Sequence, residues 1–275
     1  RRAVVTPRLV KGSTMTDTAE TVGYAVVQTA KVPEVALTFW VVKVLTTGLG
    51  ETTSDYLVRA FDPPLVIALS GVALTVALVV QWIIPVFSKW RYWIAVSLVA
   101  VFGTMVADVI HVVLGVPYLV STVVFLGGLL IVFACWWWVE KTLSIHSIYT
   151  RRRESFYWLT VLATFALGTA AGDMTATTLG LGYFVSGVMF LAAFLVPLVV
   201  RRWAGASEIS TFWIAYILTR PLGASFADWL GVGPERGGVG LGTGFISLAL
   251  VVVAWGIVAL STFDAAAISA RLDRN

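Results

Sequence analysis

The chain has 275 residues, of which 59% are hydrophobic and only 12% are charged, and its formal net charge is +4. Soluble proteins carry roughly 25% charged residues, so this composition excludes an ordinary soluble domain and indicates a membrane protein. The single cysteine, Cys135, excludes an intrachain disulfide and a thiolate metal cluster within one chain. The basic residues lie between apolar runs and not on one polar face, so no nucleic-acid partner is expected.

Eight apolar runs are long enough to cross a bilayer, which requires roughly 20 residues. Their approximate limits are 35–58, 64–87, 91–114, 117–139, 155–178, 181–200, 209–231 and 240–263. We expect one membrane domain over 35–263, between an amino-terminal tail (1–34) and a carboxyl-terminal tail (264–275). Residues 1–14 precede the first methionine, Met15; they are either not native or translated from an upstream start, and the fold prediction leaves them out.

Lysine and arginine are distributed unequally between the two sides of this predicted domain. Fifteen of the nineteen lie in the tails or in the loops that share their side, whereas only Arg59 and Arg236 lie in the opposite loops. Because positively charged loops tend to stay in the cytoplasm, we expect a multi-pass membrane protein with both termini cytoplasmic.

A fourfold internal repeat is visible in the odd-numbered runs, each of which opens with an aromatic residue followed by tryptophan. The tryptophans are Trp40, Trp93, Trp158 and Trp213; a glycine follows each after ten residues (Gly50, Gly103, Gly168, Gly223), and an aspartate after fifteen (Asp55, Asp108, Asp173, Asp228). Such fixed spacing indicates internal duplication. We therefore predict an all-α polytopic membrane protein whose eight transmembrane helices form four tandem parallel two-helix repeats, at about 35–87, 91–139, 155–200 and 209–263.

The repeat also predicts where each helix lies. The glycines belong to small-xxx-small stripes, which let helix backbones approach closely in lipid. The even-numbered runs contain no Asp, Glu, Lys or Arg. We therefore expect the odd helices at the centre of the domain and the even helices at its periphery, facing lipid.

Charged residues inside the odd runs are the candidate functional groups, because charge in hydrocarbon is costly and is usually retained for a function. The acids are Glu51, Asp55, Asp108, Asp173 and Asp228, the cations are Lys43 and Arg220, and His111 follows Asp108 by three residues. Five acids against two cations leave three carboxylates without a protein partner, so we expect bound cations or protons, with Lys43 and Arg220 as charge-coupling residues. The alternative is that the aspartates only cap helix ends or accept hydrogen bonds.

Two pairs within this set have spacings suited to a shared ligand. Glu51 and Asp55 are four residues apart and so share a helical face, where they would hold a cation or proton; alternatively, Glu51 forms an ion pair with Lys43 or Arg220. Asp108 and His111 would offer oxygen and nitrogen to one metal, or the histidine only satisfies a hydrogen bond. Glu51, Asp55, Asp108 and His111 are the candidate metal ligands.

Two segments, KVPEVALTFWVVKVLTTGLGETTSDYL (31–57) and SIHSIYTRRRESFYWLTVLATFALGTAAGDM (144–174), resemble a family of bacterial membrane-anchored proteins built from four tandem two-helix repeats. Each repeat of that family has a characteristic tryptophan, which Trp40, Trp93, Trp158 and Trp213 match. The resemblance covers about residues 31–263 and implies the same architecture, in a multi-pass protein of the bacterial inner membrane. The repeat is one of unknown function, with a loose prediction of involvement in efflux.

These observations favour a secondary transporter or exporter of a cation, a divalent metal such as Mn²⁺ in first place, coupled to protons through the intramembrane carboxylates. Two alternatives stay open: a passive cation or proton channel with an acidic ring, and a non-transporting membrane scaffold or assembly factor. No nucleotide motif and no nucleophile–base pair is visible, so we expect neither an enzyme nor a nucleotide partner. The expected partners are the lipid bilayer and the transported cation or proton; a bound divalent cation as cofactor and a homo-oligomer are left open.

Overall fold

The computed structural model describes the backbone of residues 30–272 and the side chains of residues 30–262. The amino-terminal tail predicted over 1–34 therefore lies, up to residue 29, outside the described residues, and so does the expectation about residues 1–14. The last three residues of the predicted carboxyl-terminal tail, 273–275, also lie outside them.

The described chain is helical and contains no strand. Its eight helices are α1 (Leu37–Ala60), α2 (Pro63–Ile83), α3 (Lys89–Asp108, continued by a π-helical turn over Val109–Val113), α4 (Tyr118–Glu140), α5 (Arg151–Asp173, continued by a π-helical turn over Met174–Thr178), α6 (Gly182–Ala204), α7 (Glu208–Gly231) and α8 (Thr243–Leu272). Each overlaps one of the predicted apolar runs. Because α8 continues to Leu272, most of the predicted carboxyl-terminal tail is helical.

The ends of α2 illustrate how local chemistry sets helix limits. The Asp62 carboxylate accepts a hydrogen bond from the backbone N–H of Leu65, and Pro63 occupies the first turn, where its missing N–H is not needed. At the other end, Ile84 is extended because it precedes Pro85, whose ring disfavours a helical conformation for the residue before it.

Six of the eight helices are long and apolar enough to cross a membrane, namely α2, α3, α4, α5, α6 and α8. The other two, α1 and α7, carry charged residues within their length, among them Glu51, Asp55, Arg220 and Asp228. The prediction of a helical membrane protein is thus supported. Six of the eight predicted spans are long and apolar enough to cross a membrane.

The four odd helices form a closed ring. In it, α1 packs between α3 and α7, and α5 packs between the same two helices. The even helices lie outside the ring, with α2 against α3, α4 against α5, α6 against α7, and α8 against α1. Each even helix therefore packs mainly on the odd helix of the next repeat, and the last repeat closes onto the first.

One contact recurs four times around the ring, between the repeat glycine of each odd helix and a residue seven positions after the tryptophan of the next. A Cβ added to the glycine would lie 2.4 Å from Ala100 for Gly50, 3.1 Å from Phe165 for Gly103, 2.4 Å from Arg220 for Gly168, and 2.0 Å from Thr47 for Gly223. No side chain fits at the closest of these positions without displacement. The predicted packing role of the glycines is consistent with these contacts.

A second recurring contact lies where the odd helices begin, an end of the ring that we call the tryptophan face. The aromatic residue before each tryptophan packs on the tryptophan of the next odd helix. The ring-centroid distances are 5.5 Å for Phe39 and Trp93, 5.8 Å for Tyr92 and Trp158, 6.1 Å for Tyr157 and Trp213, and 5.6 Å for Phe212 and Trp40. Together with the glycine contacts, this pattern makes the ring pseudo-fourfold.

Candidate functional site

The five carboxylates predicted as functional all line one cavity, of about 440 Å³, at the end of the ring opposite the tryptophan face. We call this end the acidic face. The carboxylates are Glu51 and Asp55 of α1, Asp108 of α3, Asp173 of α5 and Asp228 of α7. Because the four aspartates occupy the same position in their repeats, the pseudo-fourfold ring brings them to the same depth.

Two of the five carboxylates are paired with arginine. Asp55 accepts a hydrogen bond from Arg59, one turn later on α1, over 2.5 Å, and the Arg59 side chain is 53% exposed. Glu51 accepts one from Arg220 over 2.5 Å, and there the arginine is only 1% exposed. One pair thus lies at the mouth of the cavity and the other at its floor.

The carboxylates of Asp108, Asp173 and Asp228 have no such partner. Among the described side chains, none donates a hydrogen bond to them and no cation lies within ion-pair distance. Asp228 is also only 7% exposed. The charge count from sequence also leaves three acids without a protein cation, but it counted Lys43 and Arg220 as the partners, whereas the structure pairs Asp55 with Arg59 and places Lys43 among aromatic rings. The three acids lie on three different helices around one cavity.

The floor of the cavity is organised around Arg220. Its Nη2 atom lies within hydrogen-bonding distance of three oxygens, one on each of the other odd helices: Glu51 Oε2 at 2.5 Å, Thr104 Oγ1 at 2.5 Å and Thr169 Oγ1 at 2.7 Å. Both threonine hydroxyls donate to carbonyls of their own helices, so their lone pairs are free to accept from the guanidinium. Nε and Nη1 of Arg220 are buried without an acceptor among the described residues.

Below Arg220, toward the tryptophan face, the ring is filled by side chains. The Lys43 ammonium lies 4.2 Å from the ring centroid of Phe165 and 4.3 Å from that of Tyr216, and all three residues are buried. One layer further on, the hydroxyls of Tyr92 and Tyr157 are 2.5 Å apart in a hydrogen bond. The cavity therefore opens toward the acidic face and is closed toward the tryptophan face.

A buried ion pair reinforces the closed side. Lys31, which precedes α1, donates to Glu154 of α5 over 2.6 Å and to the carbonyl oxygen of Gln81 over 3.0 Å. Both charged side chains are nearly inaccessible, at 6% and 1% exposed. This pair ties the segment before α1 to the tryptophan-face ends of α2 and α5.

Of the two partners that the sequence left open for Glu51, the structure selects Arg220. Lys43 lies eight residues before Glu51, which is about 12 Å along a helix, and no described carboxylate is within ion-pair distance of its ammonium. The two cations thus occupy different layers, with Arg220 at the cavity floor and Lys43 beneath it among aromatic rings.

The structure places His111 in a hydrogen bond with the backbone and does not include it in the lining of the cavity that holds Asp108. It belongs to the π-helical turn that follows this aspartate, and its Nδ1 donates to the carbonyl oxygen of Val116 over 3.2 Å. It is not among the residues that line the cavity. Within the described residues no three His, Cys, Asp or Glu side chains form a group that could hold a metal ion.

A family model described as "Repeat of Unknown Function (DUF347)" matches the chain four times, over residues 38–85, 91–142, 156–207 and 211–265. These matches cover more than half of the chain. The chain belongs to this family. No curated protein and no solved structure matches it.

Membership in the DUF347 repeat family confirms the four tandem repeats inferred from the tryptophan, glycine and aspartate spacing. Each matched segment holds one odd and one even helix. The description of the repeat assigns no activity, so function has to be argued from the cavity.

The sequence analysis missed two tyrosines at the site. Tyr118 and Tyr183 line the cavity from the first turns of α4 and α6. Each stands ten residues after its repeat aspartate, Asp108 or Asp173, a spacing that an extension of the repeat beyond the aspartate would have revealed.

The backbone explains how these tyrosines reach the cavity. In both repeats a π-helical turn follows the aspartate, and a glycine with positive φ then reverses the chain, Gly115 at +65° and Gly180 at +68°. This left-handed conformation favours glycine. The even helix that follows therefore starts beside the cavity, with its tyrosine in the first turn.

Arg59 and Arg236 also line the cavity, at its exposed rim. In the sequence analysis these two arginines entered only the count of lysine and arginine, as the two cations of the opposite loops. Arg236 donates to the Tyr183 hydroxyl over 3.1 Å. The cavity thus has a basic rim, a lining with three carboxylates that lack a cation partner, and a floor closed by the Arg220–Glu51 pair.

Proposed function

We propose that this DUF347 protein is a secondary membrane transporter of a cation, in which the carboxylates of the cavity exchange protons for cargo. The observation that carries the proposal is the set of three acids, Asp108, Asp173 and Asp228, which line one cavity from three helices without a protein cation. Anionic charge in apolar surroundings must be compensated by a cation or a proton. A site that alternates between the two is the minimum requirement for cation–proton exchange.

The closed side of the ring supports a transporter over an open pore. A passive channel requires a continuous polar path, whereas here Lys43, Phe165 and Tyr216 fill the ring below the cavity. A cavity open on one side only is the arrangement expected of one state of an alternating-access cycle.

The unpaired acids also weigh against a scaffold. Packing of the odd helices is achieved by the recurring glycine and aromatic contacts, none of which involves the cavity aspartates. Three carboxylates without partners would only destabilise a protein whose repeats served packing alone. They are explained if they bind something that crosses the membrane.

Arg220 is the residue best placed to couple cargo to the closed side. It pairs with Glu51 at the cavity floor and contacts threonines on two other helices. We propose that a cation entering the cavity competes with Arg220 for Glu51 and so loosens contacts among all four odd helices. Lys43, one layer deeper, would then respond to the displaced guanidinium through charge repulsion.

We propose that the protein spans the bacterial inner membrane with both termini in the cytoplasm, as the distribution of lysine and arginine favours. In that orientation the acidic face and its cavity point away from the cytoplasm, and α1 and α7 cross the membrane as two of the four helices of the ring. Divalent metals remain one cargo class for the test below. The proposal includes no enzymatic step.

The test is a flux assay with purified full-length protein in liposomes that contain a pH-sensitive dye. An inward gradient of the cargo cation is expected to drive proton efflux, and Asp108→Asn, Asp173→Asn and Asp228→Asn are expected to reduce that flux at least tenfold. Asp62→Asn is the matched control, because Asp62 is an exposed cap of α2 that does not line the cavity and asparagine caps a helix equally well.

Two outcomes would count against the proposal. Cation flux that proceeds without proton movement, and that carries current, would favour the acidic channel. Intact flux in all three cavity variants would show that the carboxylates are not the exchange site.

A further inference from the structure

The walls of the acidic cavity are more informative about the cargo than its charges alone. Besides the acids, the lining consists largely of aliphatic and thioether side chains: Val58, Ile67, Met105, Val109, Val112 and Val113. Two aromatic rings, Tyr118 and Tyr183, also line it, and Pro63, Thr177 and the rim arginines Arg59 and Arg236 form the remainder. Cavities with a mostly apolar wall and a few fixed polar groups are typical of sites for organic ligands.

The cavity is also large for a monatomic ion. Its volume, about 440 Å³, is within the range of small-molecule sites, roughly 300–1,000 Å³. A divalent metal instead requires several oxygen ligands at about 2.0–2.6 Å. The described residues offer no group of three acidic, histidine or cysteine side chains close enough to supply them.

The position of Asp228 indicates the charge of the ligand. This side chain is 7% exposed, lines the cavity, and has no hydrogen-bond donor or cation partner among the described residues. A buried carboxylate without a partner is strongly unfavourable. A cationic group placed beside it would supply the missing charge, while the apolar remainder of the ligand would cover the valine and methionine walls.

The tyrosine rings match the same chemistry. A cation over the face of an aromatic ring is stabilised by the ring's electrostatic field, and quaternary ammonium groups are often recognised in this way. Tyr118 and Tyr183 enter the cavity from α4 and α6 at equivalent repeat positions. These helices pack on α5 and α7, which carry Asp173 and Asp228, so each tyrosine comes from the helix packed against a carboxylate-bearing helix of the next repeat.

We infer that the acidic cavity binds an organic ammonium ion with an apolar body, in preference to an inorganic cation. This inference rests on the proposed function and specifies its substrate class. The carboxylates neutralise the ammonium, the tyrosines contact it, and the aliphatic wall selects for hydrophobic substituents.

The experiment measures the thermal stability of the purified full-length protein in detergent against a series of tetramethyl-, tetraethyl- and tetrapropylammonium chlorides. Chlorides of K⁺, Mg²⁺ and Mn²⁺ at matched ionic strength form the comparison series. Because a ligand of the native state raises the melting temperature, we expect stabilisation by the organic ions that increases with alkyl size, and no selective stabilisation by the inorganic ions.

Two variants test the site itself. Asp228→Asn should abolish the shift with every ammonium, and Asp62→Asn should leave it unchanged. Asp108→Asn, at a less buried position, serves the same purpose if Asp228→Asn does not fold. Val109→Trp, which fills part of the cavity, should remove the shift with tetrapropylammonium and retain that with tetramethylammonium.

The outcomes separate this inference from the proposed function. Stabilisation by an inorganic cation alone, lost in Asp228→Asn, would overturn the organic class and leave the transporter in place. A shift by organic ions that survives in both aspartate variants would place their site elsewhere. A flat response to both series would contradict the organic class and the cation site together.

Discussion

Arg220 of α7 donates a hydrogen bond to Glu51 of α1 over 2.5 Å, and the two side chains are 1% and 6% exposed. On the acidic face, Arg59 donates to Asp55 over the same distance, but there the arginine is 53% exposed. The two ion pairs have the same chemical groups and the same length. They differ in how far they are removed from water, so they allow a direct test of that difference.

Arg220→Met should lower the free energy of unfolding by about 3–5 kcal/mol, because it leaves the Glu51 carboxylate buried without its partner. Arg59→Met, the matched control, should lower it by about 1 kcal/mol or less, as is usual for exposed pairs. Denaturant unfolding of the purified variants in detergent measures both. Adding Glu51→Gln to Arg220→Met should recover part of the lost free energy of unfolding, because it removes the unpaired charge. Equal effects of Arg220→Met and Arg59→Met would contradict the difference in burial between the two ion pairs.

Alanine at the closest repeat glycines should weaken the ring. Gly50→Ala, Gly168→Ala and Gly223→Ala are each expected to cost about 1–3 kcal/mol, the usual range for overpacking, because the new Cβ would lie 2.0–2.4 Å from a neighbouring helix. Gly103→Ala should have a smaller effect, since its Cβ would lie 3.1 Å from Phe165. Melting temperatures in detergent would establish this order.

The control for the glycine series is Gly128→Ala. Gly128 lies in the interior of α4, and an added Cβ would meet no atom within 4 Å. Alanine should therefore stabilise the helix by up to about 1 kcal/mol. A loss of stability at Gly128 similar to that at Gly223 would show that the recurring contact does not explain the series.

Lys43→Met should raise the melting temperature and abolish transport. Its ammonium is buried between Phe165 and Tyr216. The free-energy cost of taking this charge out of water is larger than the stabilisation that its contacts with the two aromatic rings provide. Lys141→Met is the control, because the Lys141 ammonium lies over the exposed ring of Trp137. This change should alter the free energy of unfolding by less than about 1 kcal/mol. A marked loss of stability in Lys43→Met would assign this lysine a structural role.

Cysteine labelling should report both the orientation and the closed side. In a Cys135→Ser background, Thr177→Cys lines the exposed cavity and should react with a membrane-impermeant thiol reagent added outside the cell. Arg152→Cys, on the tryptophan face, should react only after the membrane is permeabilised, and the fully buried Val96→Cys should not react from either side. The opposite pattern for the first two would invert the proposed topology.

Much of the architecture could be predicted from the sequence because it depends on local spacing. Apolar runs of about 20 residues identify membrane helices whatever their neighbours are. An aspartate fifteen residues after each tryptophan, about 22 Å along a helix, must lie at the same depth in every repeat. Convergence of the four aspartates on one cavity follows from that spacing once the odd helices are adjacent.

The identity of the Glu51 partner could not be predicted in this way, although distance along the helix argued against Lys43. Arg220 reaches Glu51 because α7 and α1 are neighbours in the ring, at a separation of 169 residues in the chain. The choice between the two cations thus depended on which helices touch.

The π-helical turns after Asp108 and Asp173 could not be predicted from the sequence either. Asp108 and His111 are on one side of a regular helix, but the hydrogen-bonding pattern widens to a π-helical turn directly after Asp108. His111 then bonds to Val116, while Tyr118 reaches the cavity in its place. Sequence spacing predicts neighbours only where the helix stays regular.

The sequence by itself determined the helices, the four repeats and the depth of the carboxylates, because each depends on periodicity within a single segment. Only the tertiary structure decided that the repeats close as a pseudo-fourfold ring and do not associate as two pairs. Closure depends on contacts such as the hydrogen bond from the Thr47 hydroxyl to the carbonyl oxygen of Thr219, across 172 residues. Such contacts form only when a small residue on one helix meets a fitting side chain on another, and this complementarity is a property of surfaces in space.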